Sequence, residues 1–291
     1  MFNDLAIHKQ TKAKLERYLN KPGQALLLVG SQGSGKTTLA MRLAAQLLNA
    51  GPEKLTNHPY FVHIAKPDNK QDISVESIRE LIRTLKLKVP GKAAVSRVVL
   101  IEDAQAMNTE AQNAFLKSLE EPNPGTVYLL TVDSKAGLLA TVVSRTSSVN
   151  IEPISLAEAQ KHFKNFNPDE VAAAWALSQG TPGLLSSLLA DKDNSLRQAI
   201  DQAKSLLAKN KYQRLLELDK LTSDKASLLT LLNAMAKVYK ALYRAAAAKN
   251  DTKRMNLAMA ASDQVLQAQQ NLQLNVMPRL VILRMVLKLP L

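Results

Sequence analysis

Residues Gly30-Ser31-Gln32-Gly33-Ser34-Gly35-Lys36-Thr37 fit the pattern G-x-x-x-x-G-K-[ST]. An apolar run, Ala25-Leu26-Leu27-Leu28-Val29, precedes the motif and reads as a buried strand. After it, Leu39, Ala40, Leu43, Ala44 and Leu47 recur at helical spacing. Strand, glycine-rich loop and helix therefore stand in the order that a phosphate-binding loop requires. Glycine reaches positive φ without a Cβ penalty, so such a loop can wrap its N–H groups around anionic oxygens. The helix N-terminus adds partial positive charge. Residues Gly30, Ser31, Gln32, Gly33, Ser34, Gly35, Lys36, Thr37 and Thr38 are the expected nucleotide-binding set. Lys36 would reach the β- and γ-phosphates of ATP, and the Thr37 hydroxyl would ligate Mg²⁺.

The rest of the N-terminal half repeats strand and helix. A first amphipathic helix is expected over Leu5 to Leu19. Strands are expected at Tyr60–Ile64, Arg97–Ile101, Val127–Val132 and Ser147–Ile151. Helices are expected from Ser74 to Leu87, from Thr109 to Glu120 with Asn108 as N-cap, and from Leu138 to Val143. Such alternation predicts a parallel sheet covered on both faces. Beyond Pro153 only helical periodicity is found, broken near Thr181-Pro182-Gly183 and by the polar stretch Lys209-Asn210-Lys211. The expected fold class is α/β plus all-α, divided at residues 1–152, 153–208 and 209–291.

Composition narrows the chemistry. The 291 residues contain no cysteine, which excludes disulfides, thiolate zinc sites and a cysteine nucleophile. The net charge of +13 favours polyanions, with nucleic acid on even terms with a merely basic surface. No apolar stretch has the length of a membrane span, and no signal peptide opens the chain. A cytoplasmic protein without membrane contact is expected.

Glu102-Asp103 closes the buried strand Arg97–Ile101. Carboxylates there can hold Mg²⁺ through water and polarise an attacking water. Ser144-Arg145 follows a short helix. Taken alone, Arg145 reads as a surface cation; beside a neighbouring subunit it would be a finger for γ-phosphate charge. Arg79, Arg83 and Lys86 share one helix face, with Lys88 and Lys92 beyond. They are candidate contacts to DNA phosphates, against the plainer reading of a solvated face.

Three segments together resemble one family. They are Leu100-Ile101-Glu102-Asp103-Ala104, Asn113-Ala114-Phe115-Leu116-Lys117-Ser118-Leu119-Glu120-Glu121-Pro122, and Leu138-Leu139-Ala140-Thr141-Val142-Val143-Ser144-Arg145. They closely resemble the AAA+ clamp-loader subunits of bacterial DNA polymerase III, the delta-prime branch most of all and gamma/tau second. Ile73 to Leu81, Ser178-Gln179-Gly180-Thr181-Pro182-Gly183 and Asn275 to Leu280 extend the resemblance more loosely over nearly the whole chain. It implies a RecA-like ATPase domain, a small helical lid and a helical collar that joins other loader subunits in a pentamer. It further implies ATP and Mg²⁺ as ligands, a sliding clamp and primed DNA as partners, and sequence-independent DNA contact. Arg145 becomes a finger acting in trans, and Thr131 a polar sensor on the fourth strand.

The chain departs from the family pattern in four places. The stretch Asn49 to Pro59 stands where a four-cysteine zinc module often lies, so no zinc is expected. The usual Asp-Glu order is reversed as Glu102-Asp103. Thr146 replaces the cysteine after the finger arginine. Gly180-Thr181-Pro182-Gly183-Leu184-Leu185 lacks the arginine that hydrolysing subunits carry there. Turnover by this chain is thus left open between two readings: an ATP-binding subunit that lends Arg145 to a neighbour, or a structural scaffold of the same complex. A small-molecule P-loop kinase is a third, poorer fit, because it needs neither the helical C-terminal part nor Ser144-Arg145.

Overall fold

The chain runs α1 (Lys9–Asn20), β1 (Ala25–Val29), α2 (Lys36–Leu47), β2 (Phe61–Ile64), α3 (Val75–Leu85), β3 (Arg97–Ile101), α4 (Thr109–Glu120), β4 (Thr126–Val132), α5 (Ala140–Ser144) and β5 (Ser147–Asn150). Helices alone follow: α6 (Leu156–His162), α7 (Pro168–Ser178), α8 (Pro182–Ala190), α9 (Ser195–Leu207), α10 (Lys211–Asp219), α11 (Lys225–Ala248), α12 (Thr252–Gln273) and α13 (Pro278–Lys288). The structure is a computed structural model and describes residues 2, 4–67, 72–85, 94–190 and 195–289.

The chain divides into two units, Met1–Glu158 with Thr181–Leu184, and Ala159–Gly180 with Leu185–Leu291. In the first, the strands form one parallel sheet in the order β2-β3-β4-β1-β5. Successive side chains of a strand point to opposite faces, so a strand buried on both faces must be apolar throughout. The central strands obey this except at Arg97 of β3 and at Thr126 and Thr131 of β4, which are buried and polar. Leu27, Val99, Ile101, Tyr128 and Leu130 enter a core with α3, α4 and α5. Leu26, Leu28, Val98, Leu100 and Leu129 enter the opposite core with α1 and α2. Phe115 of α4 is fully buried and meets the Tyr128 ring edge-on at 5.2 Å.

The first helix starts later than its periodicity suggests. His8 is extended and its Nδ1 accepts from the Gln10 N–H, which sets Lys9 as the first helical residue. Asn108 caps α4 as expected, its Oδ1 accepting from the Ala111 N–H at 2.8 Å.

In the second unit α11 packs against α12, α9 and α7, and α13 against α12 and α10. Leu228, Leu231, Leu232 and Met235 of α11 are buried, as are Ala261, Val265, Ala268 and Leu272 of α12. The polar break at Lys209-Asn210-Lys211 is a helix start. Asn210 and Gln213 form a capping box, each side chain bonding the other's backbone N–H. Among the described residues, no helix is long and apolar enough to cross a membrane.

Candidate functional site

Parallel strands deliver their C-terminal ends to one edge of the sheet, and Lys36, Glu102 and Asp103 of the residues expected from the sequence meet there. The loop after β1 carries Gly33 at φ 82° and Gly35 at φ 86°, values that only glycine adopts without strain. Gly35 is the N-cap of α2 and has no side chain to offer. The first turn of α2 contains no acid, so its backbone N–H groups keep their positive field.

Lys36 is 7% exposed. Its Nζ donates to the carbonyls of Gly30 (2.8 Å) and Ser31 (3.3 Å) and to Asp133 Oδ1 at 2.6 Å. Thr37, on the next position of α2, donates its hydroxyl to Glu102 Oε1 at 2.6 Å. The other carboxylate oxygen, Oε2, lies 2.9 Å from His63 Nε2 of β2. The Thr131 hydroxyl accepts from the Asp103 N–H at 2.9 Å. Asp103 itself stands at φ 47°, in the left-handed region, with an exposed side chain. Ser31, Gln32 and Thr38 are exposed, and Ser34 is buried.

The start of α8 closes over this loop. The Leu184 N–H donates to the Gly33 carbonyl at 2.7 Å. A Cβ on Gly183 would stand 2.8 Å from the Gly33 oxygen and 3.0 Å from the Gly35 nitrogen, so only glycine permits so close an approach.

Arg145 caps the C-terminus of α5. Its Nη2 pairs with Glu120 Oε1 at 2.8 Å, and its Nη1 donates to the Thr141 carbonyl at 3.1 Å. These bonds run to α4 and α5, not to the P-loop. The segment carrying Arg145 is fixed by a buried Gln112 of α4. Gln112 Nε2 donates to the Met107 and Gly137 carbonyls, and Oε1 accepts the Leu139 N–H at 2.7 Å. On α3, Arg79 and Arg83 are exposed, and Arg83 pairs with Glu80 at 3.3 Å. That acid lies among the arginines and dilutes their charge. Lys86, Lys88 and Lys92 lie outside the described residues.

Asp133, His63, Gly183 and Leu184 were not expected at the site. The signals were topological. Asp133 follows the strand that neighbours β1, and His63 sits on the strand that neighbours β3, in register with Leu100.

Residues 7–155 match the family model described as DNA polymerase III, delta subunit. The chain belongs to this family. Curated relatives carry the name DNA polymerase III subunit delta'. The Pseudomonas aeruginosa protein is 34% identical over 176 residues, 54% of this chain and 53% of its own length. The Haemophilus influenzae protein is 32% identical over 150 residues, 49% and 45% of the two chains. The chain thus spans about half the length of the curated relatives it matches. A solved DNA polymerase III gamma subunit-related protein from Thermotoga maritima superposes over 96% of this chain and 98% of its own, with a TM-score of 0.54 at 19% identity. That likeness carries the fold alone: a parallel sheet flanked by helices, followed by a run of helices.

The donor set also fits Mg²⁺–ATP. Hydroxyl and carboxylate oxygens at Thr37 and Glu102 are hard ligands suited to Mg²⁺. A lysine and a helix N-terminus without acids suit phosphate.

Proposed function

We propose that this chain binds ATP with Mg²⁺ at Gly30 to Thr38 and acts as a delta-prime-like subunit of a bacterial clamp loader. The observation that carries the reading is the 2.6 Å contact of Thr37 with Glu102, beside a helix N-terminus free of acids. Glu102, not Asp103, takes the metal-binding role. Bound Mg²⁺ would supply neutralisation of charge on the phosphate oxygens. Lys36 and the loop N–H groups orient the phosphates, and Thr131 fixes the turn that carries Asp103. Arg145 serves the nucleotide of a neighbouring subunit, held ready by Glu120. The partners in this reading are other clamp-loader subunits in a hetero-oligomer, the sliding clamp and primed DNA. Residues 1–152 form the nucleotide domain, 153–208 the lid and 209–291 the collar.

A scaffold reading draws on two other contacts. The ammonium of Lys36 is already engaged by Asp133, and Leu184 closes on Gly33. In that reading the loop holds nucleotide without turnover.

Fluorescent-ATP titration of Lys36→Ala tests binding; affinity should fall at least tenfold, and unchanged affinity would remove the nucleotide from the proposal. ATPase assays of the reconstituted loader separate the two readings. If this subunit hydrolyses, Lys36→Ala lowers turnover in proportion to one site; under the scaffold reading turnover stays constant. The Arg145→Ala change should leave binding by the isolated chain intact. It should abolish turnover at one neighbouring site in the assembled complex.

A further inference from the structure

The second unit carries a cavity of about 310 Å³ between the end of α9, α10, α11 and the start of α12. Leu207, Tyr239, Leu242 and Leu257 are among its walls, and Arg214 of α10 lines it. Arg214 is only 5% exposed. Two of its nitrogens are used: Nε donates to the Leu206 carbonyl at 3.2 Å and Nη2 to the Leu207 carbonyl at 2.7 Å. The third, Nη1, is buried without a hydrogen-bond partner among the described residues.

A guanidinium cannot relieve burial by losing its proton, so it needs an anion. The cavity supplies little compensation. Asp251 is its acid, and that carboxylate is committed to the side chain and backbone N–H of Arg254 at the start of α12. Lys249 and Arg254 add two further cations to the lining. The charge of Arg214 also reaches the buried Tyr239 hydroxyl, where it opposes the upward push of burial on the phenol. A carboxylate on an apolar body matches these walls: the charge meets Arg214, and the body displaces water from the leucines.

The apolar surface continues outside the cavity. Leu242 and Leu257 are 50% and 40% exposed, and Tyr243 and Met259 beside them are exposed as well. A second hollow of about 390 Å³ includes Tyr243 and Met259, and it shares Tyr239 and Ala258 with the first. A small molecule seated in the first cavity leaves this extension in water, whereas an extended polypeptide covers both.

We propose that this face of the second unit docks a partner polypeptide that inserts an acidic side chain, flanked by large apolar residues, against Arg214. The proposal stands on the second unit alone and does not depend on the nucleotide site.

The test pans a displayed random-peptide library on the immobilised full-length chain. An enriched peptide is then labelled and titrated by fluorescence anisotropy. Enriched sequences should carry Asp or Glu beside large apolar residues. The amide counterpart of the peptide, Arg214→Gln and Leu242→Glu should each weaken binding at least tenfold. Because Arg214 also holds the end of α9, Arg214→Gln can lose the fold. The exposed rim change Leu242→Glu, with an unaltered thermal melt, and the peptide's own acid-to-amide change then decide. No enrichment, enrichment without an acid, or binding indifferent to Leu242→Glu overturns the proposal. Binding of decanoate with the same Arg214 dependence, and no peptide enriched, assigns the cavity to a small organic acid and also overturns it.

Discussion

At the proposed nucleotide site, Lys36 is the residue on which affinity should turn, and its ammonium is shared. Two carbonyls of its own loop and the carboxylate of Asp133 hold it. A phosphate must compete with that carboxylate for the same three N–H bonds, and it must also tolerate its negative charge. Asp133 is half exposed, so solvent screens the pair and its worth is modest, about 1 kcal/mol at most. Asp133→Ala should therefore raise ATP affinity by up to about fivefold, measured by fluorescent-ATP titration. A loss of affinity would instead make Asp133 part of the binding surface. Glu102 poses the opposite case. Both its oxygens are occupied, by Thr37 and by His63. The reversal of Glu and Asp thus leaves a full-length glutamate beside Thr37. Asp103 stands in a left-handed turn whose N–H is tied to Thr131.

Among the elements, α5 shows best how a short helix is kept in place. It has five residues and buries Val142, too little to stand alone. The support comes from α4, where Gln112 bonds both the Gly137 carbonyl and the Leu139 N–H at the entry to α5. Gln112→Leu keeps the size but leaves the half-buried Leu139 N–H without its acceptor, a cost of about 1 kcal/mol. Urea unfolding should show that loss, and Arg145→Ala should then have less left to remove in the assembled complex. Much at this scale was legible beforehand. Central strands announced themselves as continuous apolar runs, because burial on both faces demands it. Asn108 announced its helix through the residue type that caps one. The bonds of Gln112 and Asp133 were not legible, since they join positions far apart in the chain, and nothing local marks a polar residue as the partner of a distant backbone. The closure of Gly183 and Leu184 on the loop was hidden for the same reason, although the glycine it needs was in view.

For the whole molecule, charge is the property that bears on the proposed contact with DNA. The net charge of +13 is spread over a chain whose α3 face mixes Arg79 and Arg83 with Glu80. If these arginines touch DNA phosphates in an assembled loader, replacing both with Ala should reduce the slope of log affinity against log salt by roughly 2. An unchanged slope on primed DNA would return α3 to the role of a solvated helix. The strand order has a consequence of another kind, during translation. β1, the strand that feeds the P-loop, pairs only with β4 and β5, as Ala25 with Tyr128 and Leu26 with Ser147. Its five apolar residues leave the ribosome about a hundred residues ahead of their neighbours. At 5–20 residues per second the nascent chain carries them unpaired for roughly 5–20 s. β2 and β3 can meet well before that, so the loop that defines the protein closes last. Until then the newborn chain carries an apolar strand without its sheet partners.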